Sequence, residues 1–117
     1  MTRSLSTMPG IPDVLSAMEI EATSQYLARL QVTSGQIPGW DGGHCDPWNH
    51  VEAAMALAVT GRTEEAKAAY RYLANMQLGD GSWFNYYVGD FARDLRLDTN
   101  VCAYIAAGLY HYVLVTD

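Results

Sequence analysis

The chain has 117 residues, of which 50% are hydrophobic and 17% charged, and its formal net charge is −6 at pH 7. This length is typical of one domain, and an acidic balance without a basic stripe argues against nucleic-acid binding. No run of 18 or more apolar residues occurs, so the sequence predicts no transmembrane segment. The N-terminus lacks the apolar stretch of a signal peptide, and a cytoplasmic location is therefore expected.

The first predicted helix is amphipathic and half-buried. Asp13 is expected to cap it, and the helix is expected to end near Gln31. The residues before it, 1–12, are predicted to be a flexible N-terminal tail. Residues 13–117 are predicted to form a helical repeat segment.

The second helix is predicted to be buried on all sides. Asp46 is a good N-cap, Pro47 suits the first helical position, and the run to about Val59 is apolar on nearly every face. Gly61 is expected to end this helix in the left-handed conformation, and Thr63 to cap a third, amphipathic helix.

An aromatic-rich segment, residues 82–97, is predicted to be a long loop, although residues 85–88 could form a short strand. Asp98 or Thr99 is expected to cap a fourth helix, residues 100 to about 115, whose centre is apolar. The first and third helices are predicted to be amphipathic outer helices, and the second and fourth to be buried inner helices. This alternation predicts an all-α fold of two helical hairpins. Its functional face is expected at the N-termini of the two inner helices, where the long loops lie.

An internal repeat links the two halves of the chain. Residues 26–31 align with residues 72–77 at an offset of 46. At the same offset and without a gap, residues 34–37 align with residues 80–83. Tyr, Leu, Ala, Gln and Gly are identical across the pair. A repeat of this size predicts a supersecondary unit that stacks on a copy of itself.

The segment Gln77-Leu78-Gly79-Asp80-Gly81-Ser82-Trp83 resembles the QW motif of the terpene cyclase and protein prenyltransferase α/α-toroid superfamily. The wider run from Gly42 to Tyr104 resembles the start of actinobacterial prenyltransferase- or cyclase-like proteins, and the resemblance covers residues 11–115. It implies an arc of an (α/α)6 toroid, the first third of a family member, and an isoprenoid or other bulky, lipid-like substrate. The Asp-x-Asp-Asp motif of class II cyclases does not occur in the chain.

Chemically active side chains are densest around the start of the second helix. Asp46 and His50 there, and Asp98 at the equivalent start of the fourth helix, are the candidate catalytic residues. Asp46 could also be only a helix cap, and His50 only a buried structural histidine. The candidate substrate-binding residues near the same two helix starts are Asp41, His44, Trp48, Glu52, Asn100 and Tyr104.

Four side chains of this cluster have atom types that suit zinc, namely those of His44, Cys45, Asp46 and His50. Their spacing does not reproduce the zinc motif of the protein prenyltransferases. The sequence therefore predicts no metal site, and it assigns no cofactor.

The aromatic residues are consistent with more than one function. They could stabilise carbocations in a cyclase- or prenyltransferase-like protein, or stack on sugar rings in a carbohydrate-active protein that uses Asp46 and Asp98 as acid and base. A third reading is a non-catalytic helical repeat module that packs against a partner. The aromatic residues in question are Trp40, Trp48, Trp83, Tyr86, Tyr87 and Tyr104.

The two inner helices lack a polar face, so two helical hairpins alone are expected to leave apolar surface exposed. The chain is accordingly expected to be a fragment of a longer protein or, if it is complete, to form a homo-oligomer.

Overall fold

A computed structural model describes residues 8–117 and contains four α-helices and one β-hairpin. In chain order the elements are α1 (Ala17–Leu30), α2 (Pro47–Val59), α3 (Thr63–Met76), β1 (Phe84–Val88), β2 (Phe91–Leu97) and α4 (Thr99–Thr116). Helix α2 lies at the centre, packed mainly against α4 and α3, while α1 contacts α2. None of the helices in this described part is long and apolar enough to cross a membrane. The predicted tail lies outside the described residues over positions 1–7.

Helix α1 begins later than the sequence predicts. Its N-cap is Ser16, whose hydroxyl accepts a hydrogen bond from the Glu19 N–H at 3.2 Å, while the Glu19 carboxylate accepts from the Ser16 N–H at 2.7 Å. This capping box satisfies two backbone donors at once, whereas an Asp13 cap would use a single side chain. Asp13 instead lies in the preceding turn with a φ of 60°.

The start and end of α2 are confirmed. Asp46 is the N-cap of a helix that spans Pro47–Val59, and Gly61 follows it in the left-handed region with a φ of 88°. The predicted cap of α3 is wrong, because Thr63 is the first helical residue. The N-cap position belongs to Arg62, which makes no side-chain capping bond.

The all-α prediction is wrong, because β1 and β2 form an antiparallel hairpin where a loop was expected. Gly89 and Asp90 connect the strands, and only Gly89 has a positive φ, 57°, as in a type II′ turn. The pairing is irregular at two points, between Phe84 and Tyr86 and again before Tyr87. These irregularities interrupt the period-2 alternation that would have marked the strands in the sequence.

The predicted arc of an α/α toroid is also wrong. The described chain is a mixed α/β structure in which the hairpin lies between α3 and α4 in sequence. The hairpin is attached to the segment before α2, since Cys45 and Tyr87 exchange two backbone hydrogen bonds of 2.8 Å. The long loop before α2 and the aromatic segment therefore form one layer beside the start of α2.

The core lies between α2, α3 and α4. Val51 of α2 is fully buried, and Gly108 of α4 packs so closely that an added Cβ would lie 2.1 Å from Val51 Cγ1. One turn earlier on both helices, Trp48 stacks on Tyr104. The two contacts follow in the same order along α2 and α4, so these helices run in the same direction and bring their N-termini to one end.

The turn that follows α1 and the turn that follows α3 share one hydrogen bond. The Gln31 amide donates to the Gly35 carbonyl at 3.0 Å, and the Gln77 amide donates to the Gly81 carbonyl at 3.0 Å. Gly35 and Gly81 have φ values of 93° and 91°. The same turn is therefore built twice, each time by a Gln side chain and a Gly with a positive φ.

Candidate functional site

Two aspartates cap the helices whose N-termini lie at the same end. Asp46 Oδ1 accepts from the Asn49 backbone N–H at 2.8 Å, and Asp46 Oδ2 accepts from the Asn49 side-chain amide at 2.8 Å. Asp98 Oδ1 accepts from the backbone N–H groups of Asn100 at 2.8 Å and Val101 at 3.1 Å. Both carboxylates therefore have a structural role, while Asp98 is exposed and Asp46 only half-buried.

His50 is enclosed in the core, with 1% of its surface exposed. Its Nδ1 accepts from the Ile37 N–H at 3.1 Å, and its Nε2 lies 2.8 Å from the Ala69 carbonyl. Because a backbone N–H must donate and a carbonyl must accept, the ring is a neutral imidazole with its proton on Nε2. Burial lowers the pKa of His50, which favours this neutral form.

An aromatic pair connects the N-terminal turns of α2 and α4. The rings of Trp48 and Tyr104 are stacked, with centroids 4.4 Å apart and planes 8° from parallel. The Trp48 indole N–H donates to Glu52 Oε1 at 3.0 Å, which fixes the ring and places a carboxylate at its edge. Both rings are half-buried and Glu52 is exposed, so the pair presents an apolar surface bordered by an acceptor.

A second aromatic group surrounds His44, between the loop before α2 and the hairpin. The His44 ring contacts Trp40 edge-on, with centroids 4.8 Å apart, and it contacts Tyr86 with centroids 5.0 Å apart. Trp40 is 55% exposed. Sequence reasoning did not place Trp40 or Tyr86 among the site residues, although it noted both as aromatics that could line a cavity. Their association with His44 depends on the pairing of Tyr87 with Cys45, which has no local sequence signal.

The two remaining candidates lie at the edges of this region. Asp41 is exposed in a tight turn between Trp40 and Gly43, which is closed by a 2.9 Å backbone hydrogen bond. Asn100 is exposed in the first turn of α4, and its backbone is held by Asp98. The structure thus brings seven of the nine predicted residues to the starts of α2 and α4 as half-buried or exposed side chains, while His50 is internal and Asp41 lies on the adjoining loop.

The thiol of this region is not suited to nucleophilic chemistry. Cys45 is buried, and burial together with the neighbouring Asp46 raises the pKa of its thiol to about 12. A thiol with so high a pKa remains protonated at neutral pH. Within residues 8–117, no three His, Cys, Asp or Glu side chains converge in a way that could hold a metal ion.

We use the name aromatic–carboxylate face for the side chains at the starts of α2 and α4 and on the adjoining loop and hairpin, namely Trp40, His44, Asp46, Trp48, Glu52, Tyr86, Asp98 and Tyr104. It combines flat apolar surface with hydrogen-bond acceptors. Such a combination suits a ligand that has both C–H faces and hydroxyl groups, because the rings can pack on the C–H face while the carboxylates accept from hydroxyls.

The comparisons with known proteins do not support the terpene cyclase and prenyltransferase superfamily. No protein-family model matches the chain. Over 112 residues, or 96% of the chain, the sequence is 44% identical to a protein of Mycolicibacterium hassiacum named MMP endo-(1,4)-3-O-methyl-alpha-D-mannosidase. The matched region is 31% of that protein's length, so the chain spans about a third of this relative.

This relative overturns the predicted membership of the terpene cyclase and prenyltransferase superfamily, and with it the isoprenoid substrate. The QW-like segment led to that prediction, but its Gln and Gly build a turn, and its Trp83 is a buried residue whose indole N–H donates to the Leu73 carbonyl at 2.7 Å. The carbohydrate-active alternative is the one that the similarity favours: over nearly its whole length, the chain is similar to part of a protein named as a mannosidase.

Proposed function

We propose that the chain is part of a carbohydrate-active protein and that the aromatic–carboxylate face binds an α-linked mannose oligosaccharide. The stacked pair of Trp48 and Tyr104, with Glu52 at its edge, is the observation that carries the proposal. The 44% identity to a protein named as an endo-mannosidase supports the choice of mannose over other sugars.

The face suits a methylated mannose in particular. The sugar in the relative's name carries a 3-O-methyl group, which replaces a hydroxyl donor by an apolar group. The stacked rings would contact the methyl group and the C–H face, whereas the carboxylates of Asp46 and Glu52 would accept from the remaining hydroxyls. A ligand of this kind uses both parts of the face.

For the reaction, we propose that Asp46 and Asp98 form the pair of carboxyl groups that glycoside hydrolysis requires. They occupy equivalent positions at the N-termini of two helices that run in the same direction. Both hydrogen bonds to Asp98 use Oδ1, and among the described residues none is found to Oδ2. His50 has no part in this proposal, because both of its ring nitrogens are bonded to the backbone.

The experiment is an incubation of the purified chain with an α-(1→4)-linked oligosaccharide of 3-O-methylmannose, followed by mass spectrometry of the products. Binding is measured in parallel by calorimetry. We expect specific binding of this oligosaccharide over an α-(1→4)-linked glucan. If the complete site is present, we also expect shorter products, which Asp46→Asn and Asp98→Asn abolish, and Asp98→Asn should do so without loss of binding.

The matched control is Asp13→Asn, since Asp13 is exposed, lies before α1, and has a positive φ that Asn tolerates. This variant should behave like the parent chain. Equal affinity for the mannose oligosaccharide and the glucan, or no binding of either, would contradict the proposed function.

A further inference from the structure

A groove between α3 and α4 is uncovered in the described chain. Its volume is about 710 Å³, and its walls are mainly apolar, including Tyr70, Leu73, Trp83, Ile105, Ala106 and Leu109. Leu109 is 46% exposed, whereas Leu57, the equivalent residue of the first repeat, is fully buried. The same position is therefore covered in one repeat and open in the other.

The first repeat shows what covers such a groove. There, helix α3 covers side chains of α1, of the turn that follows α1, and of α2. The Gln31 amide donates to the Glu65 carbonyl of α3 at 2.9 Å, and His50 Nε2 donates to the Ala69 carbonyl of α3 at 2.8 Å. Both contacts bind the first repeat to the backbone of the helix that follows.

The equivalents of these two donors line the open groove. Gln77 corresponds to Gln31, and Cys102 corresponds to His50 at the same position in its helix. The Gln77 amide donates to the Gly81 carbonyl at 3.0 Å, but within the described residues it has no second acceptor like the Glu65 carbonyl. The groove is thus built to receive one more helix of the α3 type.

Helix α1 is a helix of this type whose corresponding face is uncovered. At the offset of 46, Tyr26 of α1 is equivalent to Tyr72 of α3. Tyr72 is 2% exposed, and its hydroxyl accepts from the Gln36 amide at 2.8 Å, whereas Tyr26 is 50% exposed. The face that α3 buries against the first repeat is therefore open to solvent on α1.

The charges of the groove and of α1 are complementary. Lys67 and Arg71 line the groove. Helix α1 carries the exposed Glu19 in its first turn, and its basic residue, Arg29, lies in the last turn. Opposite charges on two apolar surfaces favour this pairing and disfavour the pairing of either surface with itself.

From these relationships we propose that α1 of a second copy of this chain occupies the α3–α4 groove, in the way that α3 covers the first repeat. The contact is heterologous, with the groove of one copy against α1 of the next, so copies associate head to tail and either close a ring or extend a filament. The inference concerns the 117-residue chain by itself, and it does not use the carbohydrate function proposed above.

Sedimentation velocity over a range of protein concentrations tests the proposal. The parent chain should show a reversible increase in mass with concentration. Ala106→Glu places a bulky negative charge in the groove and should weaken the association roughly tenfold or more. Ala107→Glu is the matched control, because Ala107 is exposed on the same helix outside the groove, and it should associate like the parent.

A mixing experiment identifies the two surfaces. Thr23→Arg places a cation on the exposed face of α1, opposite the basic rim of the groove, and this variant should also be monomeric. An equimolar mixture of Ala106→Glu and Thr23→Arg should form dimers, because each variant retains the one surface that the other has lost. A parent chain that is monomeric at every concentration would overturn the proposal and would mean that a helix other than α1 of a second copy occupies the groove. A mixture that stays monomeric while the parent associates would also overturn it.

Discussion

The indole ring of Trp48 lies flat on the phenol ring of Tyr104, with the ring centroids 4.4 Å apart and the planes 8° from parallel. The two residues come from different repeats, and their contact ties the N-terminal parts of α2 and α4 together. The same pair belongs to the aromatic–carboxylate face, so the proposed ligand binding and the local packing would depend on one contact.

Trp48→Ala should therefore weaken oligosaccharide binding strongly. Loss of an aromatic contact of this kind costs about 2 kcal/mol, or roughly 30-fold in Kd. Calorimetric titration with the 3-O-methylmannose oligosaccharide measures the effect. Phe91→Ala is a control, because Phe91 is a 69% exposed aromatic on β2 that takes no part in the face. A loss of affinity shared equally by both variants would show that the effect is not specific to Trp48.

Trp83→Ala should destabilise the fold without a direct effect on the ligand. Trp83 is 8% exposed, and its indole N–H donates to the Leu73 carbonyl. The truncation should lower the free energy of unfolding by about 3–5 kcal/mol. Trp40→Ala, at a 55% exposed position, should cost less than about 1 kcal/mol. Urea unfolding of the two variants tests this difference, and similar losses of stability would mean that Trp83 is not a core residue.

The role of Asp46 as a cap can be separated from its charge. Asp46→Ala removes the acceptor for the Asn49 N–H and should cost about 1 kcal/mol of stability. Asp46→Asn retains an acceptor oxygen and should cost less than about 0.5 kcal/mol. Thermal unfolding measures both effects. A proposed catalytic role requires that Asp46→Asn nevertheless abolish cleavage, so a stable and fully active Asp46→Asn chain would leave Asp46 with the capping role alone.

The stability of the chain should fall as the pH falls below neutrality. Burial lowers the pKa of His50 in the folded state below its unfolded value of about 6.5, so the unfolded state takes up the proton first. The stability from neutral His50 is complete above about pH 6.5 and is lost toward lower pH, with a slope of up to about 1.4 kcal/mol per pH unit.

Urea unfolding at about pH 7 and about pH 5 tests this linkage. His50→Gln should reduce the dependence on pH, whatever its effect on overall stability. A parent chain whose stability does not change between the two pH values would contradict the assignment of His50 as a buried neutral base.

Much of the helical structure could be predicted because its signals are local. Asp46 followed by Pro47 marks the start of α2, and Gly61 marks its end, so these limits needed no knowledge of the rest of the chain. The start of α1 was misjudged because Asp13 and Ser16 are both good caps. The choice between them depends on Glu19, which completes the capping box with Ser16.

The hairpin and part of the candidate site could not be predicted because they depend on long-range pairing. The irregular pairing around Tyr86 hides the strand alternation, and the hydrogen bonds between Cys45 and Tyr87 join segments more than 40 residues apart in sequence. Trp40 and Tyr86 meet at His44 only after that pairing has formed. The sequence alone therefore identified residues at the two helix starts but not the aromatic group beside them.

The QW-like segment misled the functional prediction for a physical reason. Gln77 and Gly81 form the same turn as Gln31 and Gly35, and Trp83 fills the core beside it. These residues specify how a helix ends and how the next segment packs. A motif that encodes a turn and a buried contact is compatible with many reactions, and it does not distinguish a cyclase from a carbohydrate-active protein.

The most direct test of the central claim is a nuclear magnetic resonance titration of the tryptophan indole N–H signals with the 3-O-methylmannose oligosaccharide. The chain contains three tryptophans, of which Trp40 and Trp48 lie in the proposed face and Trp83 is buried in the core. We predict that the signals of Trp40 and Trp48 shift in a saturable manner while that of Trp83 does not move. No shift of any indole signal, or a shift of Trp83 alone, would contradict the proposal that this face binds the oligosaccharide.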